Sequence, residues 1–298
     1  MRIFVTGATG FIGSIIAKEL LGKGHQVLGL ARSDAAAKSL RSAGVEVHRG
    51  NLEDLTSLRS GAANSNAVIH LAFNHDFSKY LDNCEIDRRV IEELGGVLAG
   101  SDRPLIVTSG TAMLTPGRCG TENDAPIPSS AGVPRSASEE AAASVAARGV
   151  RVSVVRLPPS VHDREKFGLV SQLITLAQEK GVSVFVGEGI NRWPAVHRLD
   201  AAHLYSLVLE KSAPGARYHA VAEEGVPLKE IAKVIGRRLN IPVVSKSPEE
   251  AFDHFGWLAS FMGIDCPASS TQTQERLGWR PTQTGLLADL NVAVDLRD

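Results

Sequence analysis

Short apolar runs alternate with helix-length amphipathic segments through the first half of the chain. Arg2–Val5, Gln26–Leu30, Gly44–Arg49, Ala67–Leu71, Leu105–Thr108 and Val150–Arg156 read as strands. Helical patterns fill the gaps at Gly13–Leu21, Ser33–Ala43, Leu55–Ser60, Tyr80–Leu98 and Ser136–Ala147. Gly22 and Gly24 stop the first helix, as glycines past a C-terminus do, and Ser33 or Asp34 offers a capping oxygen to the second. Ala67–Leu71 and Val150–Val155 are apolar at nearly every position, the pattern of parallel strands buried on both faces. Strand–helix–strand alternation at this spacing implies right-handed crossovers and an α/β fold with a doubly wound parallel sheet.

Proline, glycine and loop signals become denser after Leu157. Helices are expected at Phe167–Gly181, Leu199–Lys211 and Leu228–Leu239, with strands at Val182–Val186 and Arg217–Ala222. No Pro/Gly/Ser linker cuts the chain. The expectation is a Rossmann core over residues 1–157 and a smaller C-terminal substrate-binding lobe over 158–298, with segments around 182–222 returning to the core.

Composition narrows the partners. A net charge of −1 gives no electrostatic reason to expect nucleic acid or an anionic membrane. Cys84, Cys119 and Cys266 lie far apart and form no Cys-x-x-Cys pair, which suggests a reducing compartment and no disulfide framework. The start of the chain does not read as a signal peptide, and no stretch approaches the roughly 20 apolar residues of a membrane span. A cytoplasmic location is the default. No His/Cys/Asp/Glu group has metal-ligand spacing.

Between the first strand and the first helix stands Thr6-Gly7-Ala8-Thr9-Gly10-Phe11-Ile12-Gly13. Glycines there let the backbone turn tightly and approach a pyrophosphate, and the helix N-terminus offers free N–H groups to the phosphates. The second strand leads to Ala31-Arg32-Ser33, where an acid is expected if a ribose 2′-hydroxyl is read. With no acid there, Arg32 and Ser33 can hold a 2′-phosphate, which favours NADP over NAD.

At this point the sequence resembles the extended short-chain dehydrogenase/reductases, the epimerase/dehydratase-like group. Thr6–Gly13 is similar to the glycine signature, and Gly50-Asn51-Leu52-Glu53-Asp54 resembles the adenine-side turn. His70-Leu71-Ala72-Phe73 stands where the family has the segment beside the cofactor ribose. Thr108-Ser109-Gly110-Thr111 resembles the Ser/Thr active-site segment, and Arg156-Leu157-Pro158-Pro159-Ser160-Val161-His162 the one bracketing the nicotinamide. Arg276-Leu277-Gly278-Trp279-Arg280-Pro281 is similar to the family's Leu-Gly-Trp-x-Pro. The resemblance implies cofactor contacts from Thr6, Gly7, Thr9, Gly10, Phe11, Ile12, Gly13, Asn51, Leu52, Leu71, Ala72, Phe73 and Pro158.

One departure matters. The resemblance implies a catalytic Tyr-x-x-x-Lys pair on the helix after the fifth strand, but the only tyrosines are Tyr80, Tyr205 and Tyr218. Arg135 and Glu139 take the two positions, either as an i, i+4 ion pair or with Arg135 holding the cofactor. Arginine is a poor proton donor, so the usual mechanism does not carry over. Ser109 and Thr111 become candidates for binding the substrate oxygen. His75, Tyr80 and His162 become candidates for the missing acid. Trp193 is a candidate cover for an apolar substrate, His197 a candidate substrate contact, and Asp200 a helix cap.

The function expected is an NADPH-dependent reductase or dehydrogenase acting on a small or medium, largely apolar carbonyl-type substrate. An epimerase or isomerase, and a non-catalytic NADP-binding sensor, are the alternatives. The long helices Tyr80–Leu98 and Ser136–Ala147 suggest a homodimer interface.

Overall fold

Alternate residues of the first strand are shared between two cores: Ile3 and Val5 pack on one side, Phe4 on the other. That alternation, repeated strand after strand, makes a sheet buried on both faces. The computed structural model describes residues 1–293. The first half runs β1 (Arg2–Thr6), α1 (Gly13–Gly22), β2 (Gln26–Ala31), α2 (Asp34–Ser42), β3 (Glu46–Arg49) and α3 (Leu55–Ala63). It continues with β4 (Ala67–His70), α4 (Tyr80–Leu98), β5 (Leu105–Gly110), α5 (Ala137–Ala147) and β6 (Val152–Leu157).

The second half runs β7 (Ser160–His162), α6 (Val170–Lys180), β8 (Ser183–Val186), β9 (Arg192–His197), α7 (Arg198–Lys211) and β10 (Arg217–His219). Then come β11 (Glu223–Pro227), α8 (Leu228–Leu239), β12 (Val243–Lys246) and α9 (Pro248–Phe255). The last helices are α10 (Ala259–Met262), α11 (Thr271–Leu277) and α12 (Leu286–Val292).

The main sheet has seven strands in the order β10-β6-β5-β4-β1-β2-β3, and every pairing is parallel. Strand order reverses between β1 and β4, so the crevice outside their carboxyl ends is the place for a ligand. One face packs α1, α2 and α7; the other packs α3, α4 and α5. A third core, with Phe167, Trp193, Ile231, Phe255 and Leu286, belongs to the second lobe.

Only part of the 182–222 stretch returns to the first core. Helix α7 packs there and β10 closes the sheet edge, as the sequence suggests. Strands β8 and β9 do not return: β8 pairs with β12, and β9 lies between β7 and β11. Strands of four and six residues gave too little periodicity to place them. The chain returns once more near its end, where Leu277 and Trp279 enter the first core. Trp279 is fully buried and its indole N–H donates to the Asp200 carbonyl at 3.0 Å. Among the described residues no helix is long and apolar enough to cross a membrane.

Candidate active site

Glycine is required at the first turn for steric reasons. Gly7 has φ +75, and a Cβ there would meet the Ala72 nitrogen at 2.9 Å. A Cβ on Gly13 would lie 2.1 Å from the Gly7 carbonyl oxygen. Helix α1 therefore starts flush against the end of β1. It has no side-chain cap, and the N–H groups of Phe11, Ile12 and Gly13 make no hydrogen bond among the described residues. Such a cradle fits the pyrophosphate of a dinucleotide. Thr9 and Gly10 are exposed on its rim, and Arg198 lies over the Phe11 ring at 4.8 Å.

The Thr6 hydroxyl oxygen accepts the N–H groups of Leu71 and Ala72, each at 3.2 Å, fixing the segment after β4 beside the turn. Phe73 follows at the cleft. In the turn after β3, Asn51 accepts the N–H groups of Glu53 and Asp54, which shapes the turn carrying Leu52. Ser33 caps α2 through Ala36 N–H at 3.2 Å, while Arg32 is exposed beside it. Pro158 is buried in the link from β6 to β7.

A buried polar chain runs from this turn to α5. Thr6 spends its acceptor capacity on two N–H groups, so its hydroxyl donates to His70 Nδ1 at 2.7 Å. His70 Nε2 then donates to Asp87 Oδ1 at 2.9 Å. Asp87 Oδ2 receives Arg135 Nη1 at 2.7 Å and the Ser138 hydroxyl at 2.5 Å. Burial pushes the Asp87 pKa up, but the Arg135 charge and the bonds from His70 and Ser138 outweigh it and hold the group below the usual carboxylate range. Arg135 Nη2 donates to the Thr108 carbonyl at 3.1 Å, and the guanidinium lies 4.3 Å over the Phe73 ring. The i, i+4 pair of Arg135 with Glu139 does not form, because each residue has a stronger buried partner.

Glu139 turns the other way. It receives Arg156 through Nε and Nη2, each at 2.7 Å, and the Ser109 hydroxyl at 2.6 Å. Ser109, Glu139 and Arg156 are all buried, and His219 Nε2 lies 3.2 Å from Arg156. Ser109 is thus part of a closed ionic cluster under the sheet rather than a hydroxyl turned to the cleft. The reason is register: Thr108 and Ser109 point to opposite faces of β5. Thr108 Oγ1 meets the Tyr205 hydroxyl at 2.8 Å on the other side. Thr111 is buried next to the strand end, and its hydroxyl has no partner.

Tyr80, His75 and Arg135 come together at the mouth. Burial, with Cys84 adding, pushes the Tyr80 phenol up to about 12, and the Arg135 charge opposes it. His75 is open to solvent on one side, yet desolvation and then Arg135 lower its pKa. Their rings continue into an aromatic cluster. Phe73 packs edge-on to His75 and Tyr80, with centroids 5.5 and 6.4 Å apart. Phe77 lies 5.7 Å from Tyr80 and stacks on Trp257 of the second lobe at 4.1 Å.

The remaining candidates lie elsewhere. Trp193 is 1% exposed inside the second-lobe core, so it covers no cleft. His162 is completely buried, with Nδ1 on Asp289 at 3.0 Å, and burial drives its pKa down to about 4 despite that carboxylate. His197 packs edge-on against His162 and caps α7 by accepting Leu199 N–H at 3.2 Å. Asp200 does not cap the helix; it accepts the N–H groups of Thr282 and Gln283. Among the described residues no group of three or more metal-ligating side chains converges.

Sequence reading missed Asp87, Ser138 and the Glu139–Arg156 pair. Asp87 had a signal: it stands on the buried stripe of α4 with Cys84, Val90, Ile91 and Leu94. An acid on an apolar face needs a partner.

Comparison with known proteins bears on the fold and the family. The chain is 54% identical to an uncharacterised protein of Schizosaccharomyces pombe, over 97% of this chain and 98% of that one. It is 45% identical to an uncharacterised protein of Saccharomyces cerevisiae, over 99% of this chain and 100% of that one. Its fold is similar to the UDP-glucose 4-epimerase of Thermus thermophilus solved with NAD, with TM-score 0.76 at 19% identity over 99% and 98% of the two chains. A family model matches residues 3–221, and by that match the chain belongs to the NAD dependent epimerase/dehydratase family.

Proposed function

We propose that the protein is an NADPH-dependent reductase of a small or medium, largely apolar carbonyl compound. The observation that supports this best is Arg135, held by Asp87 and the Thr108 carbonyl at the end of β5 beside Tyr80. Its Nε–H makes no hydrogen bond among the described residues and is free for a substrate oxygen.

Bound NADPH would supply the hydride, seated by Gly7–Gly13, Leu71–Phe73 and Pro158. The chain's own residues supply charge and a proton. Arg135 orients the carbonyl oxygen and stabilises the negative charge that develops on it. Tyr80, with its pKa near 12, keeps its proton at neutral pH and delivers it to that oxygen. A tyrosine from α4 and a cation preceding α5 thereby replace the tyrosine–lysine pair of one helix. His75 is neutral at pH 7 and shields the pair from water with Phe73.

Exposed Arg32, with no acid at its position, supports NADP over NAD. Arg49 at the neighbouring strand end is tied to Asp34 and the Ser33 carbonyl, so Arg32 is the free cation of this edge among the described residues.

The test is nucleotide titration followed by NADPH oxidation with a panel of aldehydes and ketones. NADPH binding and net oxidation are expected. Binding without oxidation on any carbonyl would leave a sensor, and isomerisation of a sugar nucleotide without net NADPH loss would leave an epimerase.

A further inference from the structure

The two lobes meet through a pair of rings that is stacked as a base pair step is stacked. Phe77, on the loop after β4, and Trp257, on the turn after α9, lie 4.1 Å apart with planes 9° from parallel. Phe261 closes the corner edge-on, 6.3 Å from Phe77 and 6.1 Å from Trp257. Aromatic pairs favour either an offset stack or an edge-on contact, because both suit the ring quadrupoles. The other pairs of this cluster are tilted or edge-on, from 34° to 80°. In this cluster the Phe77–Trp257 pair alone is stacked, and it sets two flat faces parallel at the mouth of the site.

We infer that this stack is a slot for a planar, conjugated ring, and that the substrate carbonyl is attached to such a ring. This rests on the reductase reading for what happens to the carbonyl, but not for the binding of the ring. A ring that parts Phe77 from Trp257 replaces one stacked interface with two, so the gain is repaid on both faces. It then lies beside Tyr80, 5.7 Å from Phe77, which puts a carbonyl on its edge within reach of the phenol.

Trp257 sits near the surface, in contact with the Phe77 and Phe261 rings. It is 42% exposed, whereas Trp193 and Trp279 are 1% and 0% exposed. Behind it lies a cavity of about 260 Å³ lined by Leu176, Lys180 and Phe255 among others. Gly256 before it has φ +55 and ψ −128, a conformation glycine alone adopts easily, and a Cβ there would touch nothing. The turn can rotate without breaking a packed contact at that residue.

Acetophenone and cyclohexyl methyl ketone separate the idea from plain apolar binding, because they match in size but only one has a flat ring. Their dissociation constants would be measured by calorimetry on the full chain saturated with NADP⁺, for the wild type and for Phe77→Leu and Trp257→Leu. The expected result is binding of acetophenone tighter by about tenfold or more, falling to within about twofold in either variant. Equal binding of the two ketones by the wild type, or a flat-ring preference that survives both substitutions, overturns the slot. Ring preference without NADPH oxidation would keep the slot and remove the reductase reading; NADPH-dependent reduction of both ketones with no ring preference would do the reverse. Fluorescence of Trp257, the exposed tryptophan, gives a second readout: acetophenone should shield it from acrylamide, and cyclohexyl methyl ketone should not.

Discussion

Asp87 and Arg135 form an ion pair of 2.7 Å between the middle of α4 and the residue block that opens α5. Asp87 is buried and Arg135 nearly so, and His70 and Ser138 share the same carboxylate. Replacing Asp87 by Asn leaves a buried guanidinium without its counter-ion. The expected cost is about 3–5 kcal/mol of unfolding free energy, read from urea denaturation. A loss below about 1 kcal/mol would mean that the pair is solvated and does not organise the site.

Arg135→Ala should lower kcat by about 10²–10³-fold if its charge stabilises the developing oxyanion. NADPH affinity should stay near the wild-type value. Arg135→Lys should recover part of the rate, because the charge remains while the two-pronged grip on Asp87 and Thr108 is lost. An unchanged kcat in the alanine variant would take Arg135 out of the chemistry.

Arg32→Ala isolates the cofactor choice. NADPH binding is expected to weaken by about 10- to 100-fold, the worth of one hydrogen bond to a charged group, while NADH binding holds. Equal weakening of both nucleotides would assign Arg32 to general electrostatics.

Ser109 and Glu139 are predicted to matter for folding. Glu139→Gln unpairs buried Arg156 and should cost about 3–5 kcal/mol. Ser109→Ala removes one hydrogen bond to that charged carboxylate, about 1.5–3 kcal/mol, and should leave kcat unchanged. A collapse of kcat in Ser109→Ala, with Tm near wild type, would return the residue to the reaction.

Two buried histidines make stability depend on pH. Burial, opposed by Asp289 in one case and reinforced by Arg156 in the other, lowers both His162 and His219 from 6.5 to about 4. In the unfolded chain both take up protons below about 6.5; in the folded chain they stay neutral until about 4. Stability is therefore full above pH 7 and falls as pH drops through this window, by about 1.4 kcal/mol per unit for each group. Thermal unfolding at pH 7.0 and 5.5 checks this. His162→Gln should flatten the slope, and a Tm that does not change between the two pH values contradicts it.

The sheet was legible because period-two and fully apolar runs leave one assignment, and Thr6–Gly13 was legible because its glycines answer to backbone contacts close in sequence. The second lobe was less so. Nothing local in Val243–Lys246 says that it pairs with Ser183–Val186, some 60 positions earlier. The site divided in the same way. Tyr80 and His75 were placed by the rule that loops after parallel strands carry ligands, whereas Ser109 was placed by the family resemblance of its segment. Which face of β5 it occupies depends on Glu139 and Arg156, and neither is near it in the chain.

Trp279 fills the first core although it comes near the end of the chain, and Leu277 enters with it. The first core is therefore unfinished until residues 277–279 have left the ribosome. A stop codon or a proteolytic nick that removes Leu277 and Trp279 would strip the core around Ile3, Val5 and Ile16 of its packing. Truncation meant to delete a peripheral tail would reach the cofactor domain first.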